Sequence, residues 1–419
     1  MRMAERRHRR RRGLRIGLCW ILGPLAVLLL LRGADIAVAL GSRRAQQPIV
    51  ARDALVAVDT LVSPAMARYL AAYDVIAIGE GRHQVLAYEQ AVIDITLALQ
   101  PMGARQLLLE MPHAYDRETQ AYVLGETPAI SPILRQYAGR RLDAIRAANQ
   151  RLPATERVSV RAIDMNGELS LYTSRLNELA AELVGEGASI GVLAPVLGRQ
   201  TAGASVTNVE EVYRALEVHE AELVAAWGRA IYEQILEMTW VQARSIQVIG
   251  AYAMDERVGR LAREELIMDL VERRLGEIDS GKTLLHLGGN HIQRQHLMGA
   301  QNRWLGGYLA EESPAAAGRA FLLYVTAAEG CYEEDGRPVR FDIARGDGRG
   351  RNPAELLGTL SAVARTASPA WQSALLPLDD PYWSVARAEV DYGGIRYTHV
   401  PKEQFDGYLL LRRAPCPRG

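Results

Sequence analysis

Five ionisable residues in the sequence have the types and positions that acid–base chemistry needs. They are Glu80, His83, Glu110, Asp164 and His291. Two histidines and two glutamates suffice for hydrolysis, because one group can activate water while another protonates the leaving group. The same groups can also hold a divalent metal ion, which lowers the pKa of a bound water. The residue types therefore predict either metal-free or metal-assisted hydrolysis.

Some of these residues also have a purely structural interpretation. Glu80 or Asp164 could cap a following helix, because acids favour helix N-termini. Glu110 follows three leucines, and a carboxylate at the end of a buried strand is costly unless it is paired, which favours a function. Two other histidines have structural interpretations: we expect His286 to pack in the core and His113 to be exposed in a loop.

Short apolar runs along the chain are separated by longer amphipathic stretches. The predicted strands are Asp74–Gly79, Gln106–Glu110, Val158–Asp164, Thr283–Leu287, Phe321–Thr326 and Gly407–Leu411. Helical spacing of apolar residues predicts a helix over His83–Leu99. Strands that alternate with helices need crossover connections, so we predict an α/β fold with a mainly parallel sheet flanked by helices. Ligands bind at the carboxyl ends of such strands, and the first four runs each end beside an ionisable group.

Residues 207–276 interrupt this alternation with two long helical stretches. Thr207–Tyr252 begins with a capping-box pattern, and Asp255–Leu275 carries apolar residues along one stripe. We predict an inserted helical hairpin that forms a lid or a wall beside the sheet. Farther along, Gly330–Pro353 is rich in glycine and charge and is predicted to be a surface loop.

Four polar residues near the strand ends are candidates for substrate binding. They are Arg82, Asp164, Asn290 and Arg263. Either arginine could stabilise an oxyanion. Arg263 lies in line with Ile267 and Leu270, however, so we favour packing of its stem with the charged head at the surface.

The first 40 residues have the pattern of a membrane signal anchor. Residues 1–15 hold eight arginines and one acid, and residues 16–31 contain no charged residue. Arginines before an apolar segment hold the N-terminus in the cytoplasm. A signal peptide cleaved near Ala37–Ala39 is the alternative, which the charges at Arg32 and Asp35 disfavour.

These patterns divide the chain into four parts. We predict a basic cytoplasmic tail at 1–15, a transmembrane signal anchor at 16–40, a linker and first helix at 41–70, and an α/β domain at 71–415. The protein is expected to be a single-pass protein of the cell membrane (the inner membrane of a bacterium), with its main domain periplasmic or extracellular.

Composition and motifs exclude several other classes. Outside residues 1–15 the chain has 41 basic and 48 acidic residues, a net charge of −7, which does not suit a nucleic-acid partner. Three cysteines without a partner pattern exclude a disulfide scaffold and a zinc-finger array. The sequence has no G-x-S-x-G elbow, no H-E-x-x-H helix and no phosphate-binding glycine loop.

At these motifs the chain resembles the superfamily of erythromycin esterases and ChaN-like proteins, and is distantly similar to the Tiki and TraB membrane hydrolases. The similar segments are VIAIGEGRHQ at 75–84, LLLEMPHAYDRETQAYVLGE at 107–126, VRAIDMNG at 160–167, GGNHI at 288–292 and FDGYLLLRRAP at 405–415. The resemblance covers about residues 70–415. It implies that Glu80, His83, Glu110 and His291 line one catalytic or binding site.

The members of this superfamily imply different chemistries for that site. In the esterases a histidine of the first motif activates water without a metal, in Tiki-like relatives the equivalent groups bind a divalent metal and cleave peptides, and some ChaN-like members bind haem. The chain departs from the esterases at Gly288, where they have a histidine, and at Leu270, where an asparagine is expected. Arg263-Glu264 matches the helix motif. These differences favour a hydrolase of the wider group over a macrolide esterase.

The sequence thus favours a membrane-anchored extracytoplasmic hydrolase of an ester, lactone or amide, with a small-molecule or peptide substrate. His83 or His291 would be the general base. A metal, if present, would be held by His83, Glu110 and His291, and a divalent ion is expected ahead of haem. The alternative is a ChaN-like haem- or metal-binding protein without turnover, and a third interpretation is a scaffold without activity. Burying four ionisable strand ends without use would be costly, which disfavours the third.

Overall fold

The structure is a computed structural model that describes residues 54–416, except 82, 84, 198–205, 279, 296–302, 335–336, 343–369, 380, 385–387 and 393–394. The strands within these residues are β1 (Leu55–Ala57), β2 (Val75–Glu80), β3 (Ala104–Pro112), β4 (Ser159–Asp164), β5 (Lys282–Gly288), β6 (Ala320–Glu334), β7 (Arg337–Asp342), β8 (Ser373–Pro377), β9 (Ala388–Tyr392), β10 (Ile395–His399) and β11 (Gly407–Ala414).

The helices in the same residues lie between these strands. They are α1 (Pro64–Leu70), α2 (Leu86–Leu99), α3 (Asp116–Leu124), α4 (Pro132–Asn149), α5 (Leu169–Gly185), α6 (Val206–Val218), α7 (Glu220–Trp227), α8 (Arg229–Met254), α9 (Glu256–Gly276), α10 (Leu305–Glu311) and α11 (Pro401–Gln404).

Nine of the strands form one mixed sheet in the order β1-β8-β11-β6-β2-β5-β3-β4, with β7 paired to β6. The five neighbouring pairs from β11 to β4 are all parallel. The pairs β1–β8, β8–β11 and β6–β7 are antiparallel, and β9–β10 is a separate hairpin. The predicted mainly parallel α/β sheet is confirmed, and each of the six predicted strands is present.

Apolar side chains cover both faces of the sheet, as the alternation of a strand requires. In β2, Val75 and Ala77 belong to one core and Ile76 and Ile78 to the other. Helices α2 and α4 pack on the Ile76 face, while α9 and α10 pack on the Val75 face. Because both faces are buried, the central strands are almost entirely apolar until their carboxyl ends.

The helical insertion is more divided than its sequence pattern predicts. The stretch predicted as one helix over Thr207–Tyr252 is three helices, α6, α7 and α8, with breaks at His219 and Gly228. Gly228 has a φ of +79°, a left-handed conformation that ends the preceding helix. The hairpin itself is formed by α8 and α9, joined at Asp255, whose side chain caps α9.

The segment predicted as a surface loop begins as a β-hairpin instead. Strand β6 continues to Glu334, and β7 returns beside it with Glu329 opposite Asp342. Val339 and Phe341 alternate along β7 and pack against the core, which stabilises a strand despite the glycine-rich and charged composition. Residues 343–353 of the predicted loop lie outside the described residues.

The cysteines also depart from the sequence analysis, which found no pairing pattern. Cys331 and Cys416 form a disulfide across 85 residues. They come together because β6 and β11 are parallel neighbours with Gly330 opposite Ala414, so each cysteine lies just beyond a paired position.

No helix in the described ranges is both long and apolar enough to cross a membrane. The predicted signal anchor at 16–40 and the basic tail before it lie outside the described residues.

Candidate active site

Four adjacent strands, β2, β5, β3 and β4, place polar groups at the same edge of the sheet. Glu80 ends β2, Glu110 lies near the end of β3, Asp164 ends β4, and the turn after β5 carries His291. Since these strands are parallel, their carboxyl ends lie side by side. The structure therefore brings together the groups that the sequence placed at one rim.

The first pair in this site is His83 with Glu80. His83 Nδ1 lies 2.8 Å from Glu80 Oε1, and the histidine side chain is 66% exposed while the glutamate is 8% exposed. Burial opposes ionisation of Glu80, but its contacts with His286 and His83 outweigh this and lower its pKa to about 2. The hydrogen bond to Glu80 in turn raises the pKa of His83 above its usual value.

The ring of His83 lies close to Gly288. A Cβ atom at position 288 would be 3.2 Å from His83 Cε1, 3.3 Å from His83 Nε2 and 3.6 Å from Glu110 Oε2. The His83 imidazole and the Glu110 carboxylate thus both lie close to the β5 backbone at Gly288. Gly288, which the resemblance marks as a departure from the esterases, is in close contact with His83.

Glu110 is tied to its neighbours by three contacts. Its Oε2 accepts from the Gly288 amide at 2.7 Å, its Oε1 accepts from Arg263 Nη2 at 2.7 Å, and His291 Nε2 lies 3.4 Å from the same Oε1. Burial opposes ionisation, but the His291 and Arg263 contacts prevail and hold the pKa of Glu110 well below its usual range. Glu110 is therefore a carboxylate at neutral pH.

The structure corrects the interpretation of Arg263 as a packing residue with a surface head. Its guanidinium reaches from α9 into the site, where Nε and Nη2 donate to Asp164 at 2.9 and 2.5 Å and Nη2 also donates to Glu110. Asp164 is thus an arginine partner rather than the cap of a helix. This double pairing joins the helical hairpin to the ends of β3 and β4.

His291 lies between two carboxylates. Its Nδ1 is 2.6 Å from Glu264 Oε2, and the other oxygen of Glu264 accepts from the Leu305 amide at 2.8 Å. Burial disfavours the charged ring, but Glu264 and Glu110 outweigh it and raise the pKa of His291 to about 10. His291 is therefore an imidazolium at neutral pH and a hydrogen-bond donor. Glu264 was predicted only as part of the Arg263-Glu264 motif. An acid on the apolar side of an amphipathic helix, however, indicates a buried polar partner.

A second histidine contacts Glu80 from inside the sheet. His286 Nε2 lies 3.2 Å from Glu80 Oε2, and Arg141 Nη1 of helix α4 lies 2.8 Å from His286 Nδ1. His286 is buried as expected, yet its neighbours are charged rather than apolar. A histidine in the middle of an apolar strand was the only sequence signal for this contact.

The remaining two candidates for substrate binding have different outcomes. Asn290 is half-buried in the turn after β5, where its Oδ1 accepts from Gln293 Nε2 at 3.4 Å. Arg82 lies outside the described residues.

The residues predicted to hold a metal are not arranged as a ligand set. Among the described residues, one group of three has ligand atoms within 4.8 Å of one another, and it is His113, Asp116 and Glu237 rather than His83, Glu110 and His291. Both oxygens of Glu110 already accept hydrogen bonds, from Arg263 and from the Gly288 amide. The site as placed therefore fits acid–base chemistry better than metal binding.

The His113 group is itself filled by an arginine. Arg274 Nη2 lies 2.7 Å from Glu237 Oε2, 3.2 Å from His113 Nε2 and 3.4 Å from Asp116 Oδ2. The guanidinium thus supplies the positive charge that a metal ion would bring. His113, predicted to be exposed, is 5% exposed because it joins this buried network beside β4.

Comparison with known proteins gives similarity at the level of structure. No protein-family model and no curated protein matches the sequence. One similar solved structure is a Bacillus cereus protein, with a TM-score of 0.64 and 13% identity over 89% of this chain and 98% of that one. A succinoglycan biosynthesis protein has a TM-score of 0.61 and 14% identity over 89% of this chain and 98% of its own. A mutant of the erythromycin esterase EreC in its open conformation has a TM-score of 0.60 and 12% identity over 87% of this chain and 98% of its own.

These structures extend over almost the whole of the described domain. The resemblance that the sequence motifs indicated is therefore confirmed at the level of the fold: the chain shares the fold of an erythromycin esterase.

Proposed function

We propose that this protein is a hydrolase of an ester, lactone or amide that uses His83 as a general base without a metal ion. One observation carries the proposal: the exposed ring of His83 donates from Nδ1 to the buried carboxylate of Glu80 and leaves Nε2 free over Gly288. A histidine held this way by a carboxylate is poised to take a proton from water. The fold shared with an erythromycin esterase supports the same reaction class.

The proposed reaction assigns a task to each charged group. Nε2 of His83 removes a proton from a water molecule while the water oxygen attacks the carbonyl carbon. The ionised Glu80 stabilises the imidazolium that forms, and His291 and Arg263 supply positive charge toward the oxygen that becomes negative. The carbonyl then re-forms as the bond from its carbon to the leaving oxygen or nitrogen breaks, and His83 returns the proton to that leaving atom. The products are the carboxylic acid and the alcohol or amine, and His83 is neutral again.

Glu110 has a positioning task in this scheme. Because it accepts from Arg263 and the Gly288 amide and lies beside His291, it fixes these donors relative to the ring of His83. It remains ionised and is not itself a proton carrier at neutral pH.

The test is hydrolysis of a panel of aryl esters, lactones and aryl amides by the full chain. His83→Gln should lose at least about 100-fold in kcat/KM on any substrate that turns over, which is the usual contribution of a general base. His219→Gln is the matched control, because His219 is exposed and lies on the helical insertion. Equal activity of the wild type and His83→Gln would refute the proposal, and haem or metal binding without turnover would then be the next assay.

We further propose that the enzyme works outside the cytoplasm, anchored by residues 16–40. The Cys331–Cys416 disulfide supports this location, because structural disulfides persist in oxidising compartments. Alkaline phosphatase fused after Gly419 should be active in intact cells. An inactive fusion with normal expression would contradict an exported main domain.

A further inference from the structure

A line of polar contacts runs from helix α4 through the sheet to the proposed base. Arg141 Nη1 lies 2.8 Å from His286 Nδ1, His286 Nε2 lies 3.2 Å from Glu80 Oε2, and Glu80 Oε1 accepts from His83 Nδ1 at 2.8 Å. The first three side chains are buried, with exposures of 9% or less. Only His83, at the end of the line, is open.

The arginine fixes the tautomer of His286. A guanidinium only donates, so His286 Nδ1 must be the acceptor and its ring proton must sit on Nε2. That proton faces Glu80 Oε2, which has no other hydrogen-bond partner among the described residues. The contact is electrostatic rather than a well-aligned hydrogen bond, and it places the positive edge of the ring against one carboxylate oxygen.

The other oxygen of Glu80, Oε1, then determines which tautomer His83 adopts. Since Glu80 is ionised and can only accept, the proton of a neutral His83 is held on Nδ1. The lone pair is left on Nε2, at the side that meets Gly288 and Glu110. The reverse tautomer would place the lone pair against Glu80 and leave no base facing the site.

Simple packing does not account for His286 and Arg141. His286 lies in β5 on the same face as Leu284, in a layer of mostly apolar side chains from α2 and α4. Glu89 of α2 is charged and lies 3.7 Å from Arg141 Nη2. Burying an arginine and a histidine there costs free energy that a leucine would avoid. A leucine at 286, however, would leave Glu80 Oε2 buried without any partner, which favours rotation or protonation of the carboxyl group.

We propose that His286, oriented by Arg141, is a positioning residue that holds Glu80 and thereby keeps His83 in the tautomer with Nε2 free. The inference rests on the proposed function only in taking His83 as the base. The contacts of His286 with Arg141 and Glu80 do not depend on that function.

The experiment compares Arg141→Met with Arg140→Met in the full chain. Arg140 is the neighbouring arginine on α4, is exposed and does not contact His286. In histidine-labelled protein, 15N chemical shifts distinguish the two tautomers, and the signals of His83 are identified by their loss in His83→Gln. In the wild type and Arg140→Met, neutral His83 should carry its proton on Nδ1.

In Arg141→Met the tautomer of His83 should become mixed, and kcat should fall by roughly 10- to 100-fold with little change in KM, as for other outer partners of functional histidines. His286→Leu should give the same result and replaces Arg141→Met if that variant does not fold. A His83 that keeps its proton on Nδ1 in the folded variant overturns the proposal, whether or not kcat falls, because loss of packing alone would lower kcat in that way. If His83→Gln is fully active, the proposed function fails, while the tautomer measurement still decides the positioning role.

Discussion

At the scale of residues, the site separates its two main histidines by their surroundings. His83 is exposed and has one carboxylate partner, whose hydrogen bond raises the pKa of the ring above its usual value. His291 is buried between Glu264 and Glu110 and stays charged. Sequence patterns alone left either histidine as the base, and these environments support His83 as the proposed base and His291 as the proposed cationic group.

Replacing Glu264 with glutamine should lower the pKa of His291 from about 10 by at least one unit, because burial would no longer be outweighed by that carboxylate. The raised pKa stabilises the fold fully below pH 6.5, and this stabilisation is lost as pH rises toward 10. Titration of the histidine ring signals by NMR measures the shift.

Glu265→Gln is the matched control for this variant. Glu265 is the next residue of α9 but is exposed, so its loss should leave the titration of His291 unchanged. An unchanged pKa of His291 in Glu264→Gln would show that Glu264 does not hold the charge.

At the scale of elements, the site is held by close backbone contacts around the turn after β5. Helix α10 starts against this turn, where the Gly306 amide donates to the His291 carbonyl at 2.8 Å. A Cβ atom at position 306 would lie 2.1 Å from the carbonyl oxygen of Ile292. Glycine therefore lets α10 approach the turn that carries His291.

Gly306→Ala should destabilise the protein by about 2 kcal/mol or more, because the backbone of the turn must move away. Gly250→Ala is the control: Gly250 is exposed within α8, a Cβ atom added there would have nothing within 4 Å, and the change should be neutral or stabilising by about 0.5–1 kcal/mol. Urea unfolding of both variants measures the difference. Equal stabilities would mean that the contact between α10 and the turn is not tight.

The elements that sequence patterns predicted are those with strong local signals. Runs such as VIAIG in β2 and LLL in β3 are apolar because both faces of the sheet are covered, so these strands were evident. The β6–β7 hairpin was missed because its charge and glycine content masked the alternation of Val339 and Phe341. The break between α7 and α8 was also not predicted. It depends on the positive φ of one residue, Gly228, inside a continuous apolar stripe.

The site was predictable only in part, for a related reason. Residues at strand ends share an edge by topology, which placed Glu80, Glu110 and Asp164 together on sequence grounds alone. Arg263 contacts Asp164 across 99 residues and Glu110 across 153, and no spacing rule encodes such contacts. The same holds for Arg141 and His286, whose pairing joins a helix to a strand 145 residues away.

At the scale of the whole molecule, a disulfide joins two segments that are distant in the sequence. Cys331 and Cys416 link the extension of β6 to the segment after β11, 85 residues apart. Cross-linking such a loop limits the unfolded chain and stabilises a protein by roughly 2–4 kcal/mol.

The variants Cys331→Ser and Cys416→Ser should each lower the free energy of unfolding by that amount, and the double variant should lose no more than either one. Reduction of the wild type with dithiothreitol should give the same loss, while the double variant should not respond to the reductant. If reductant does not change the stability of the wild type, Cys331 and Cys416 do not form a stabilising disulfide.

The pH dependence of kcat/KM on the best substrate of the panel shows whether His83, paired with Glu80, is the base of a hydrolase. Because the base must be neutral, kcat/KM should rise with pH and level off at a midpoint above 6.5, since Glu80 raises the pKa of His83. In Glu80→Gln the midpoint should move down, because the carboxylate that favours the charged ring is gone. A midpoint that is the same in the wild type and in Glu80→Gln would contradict the account.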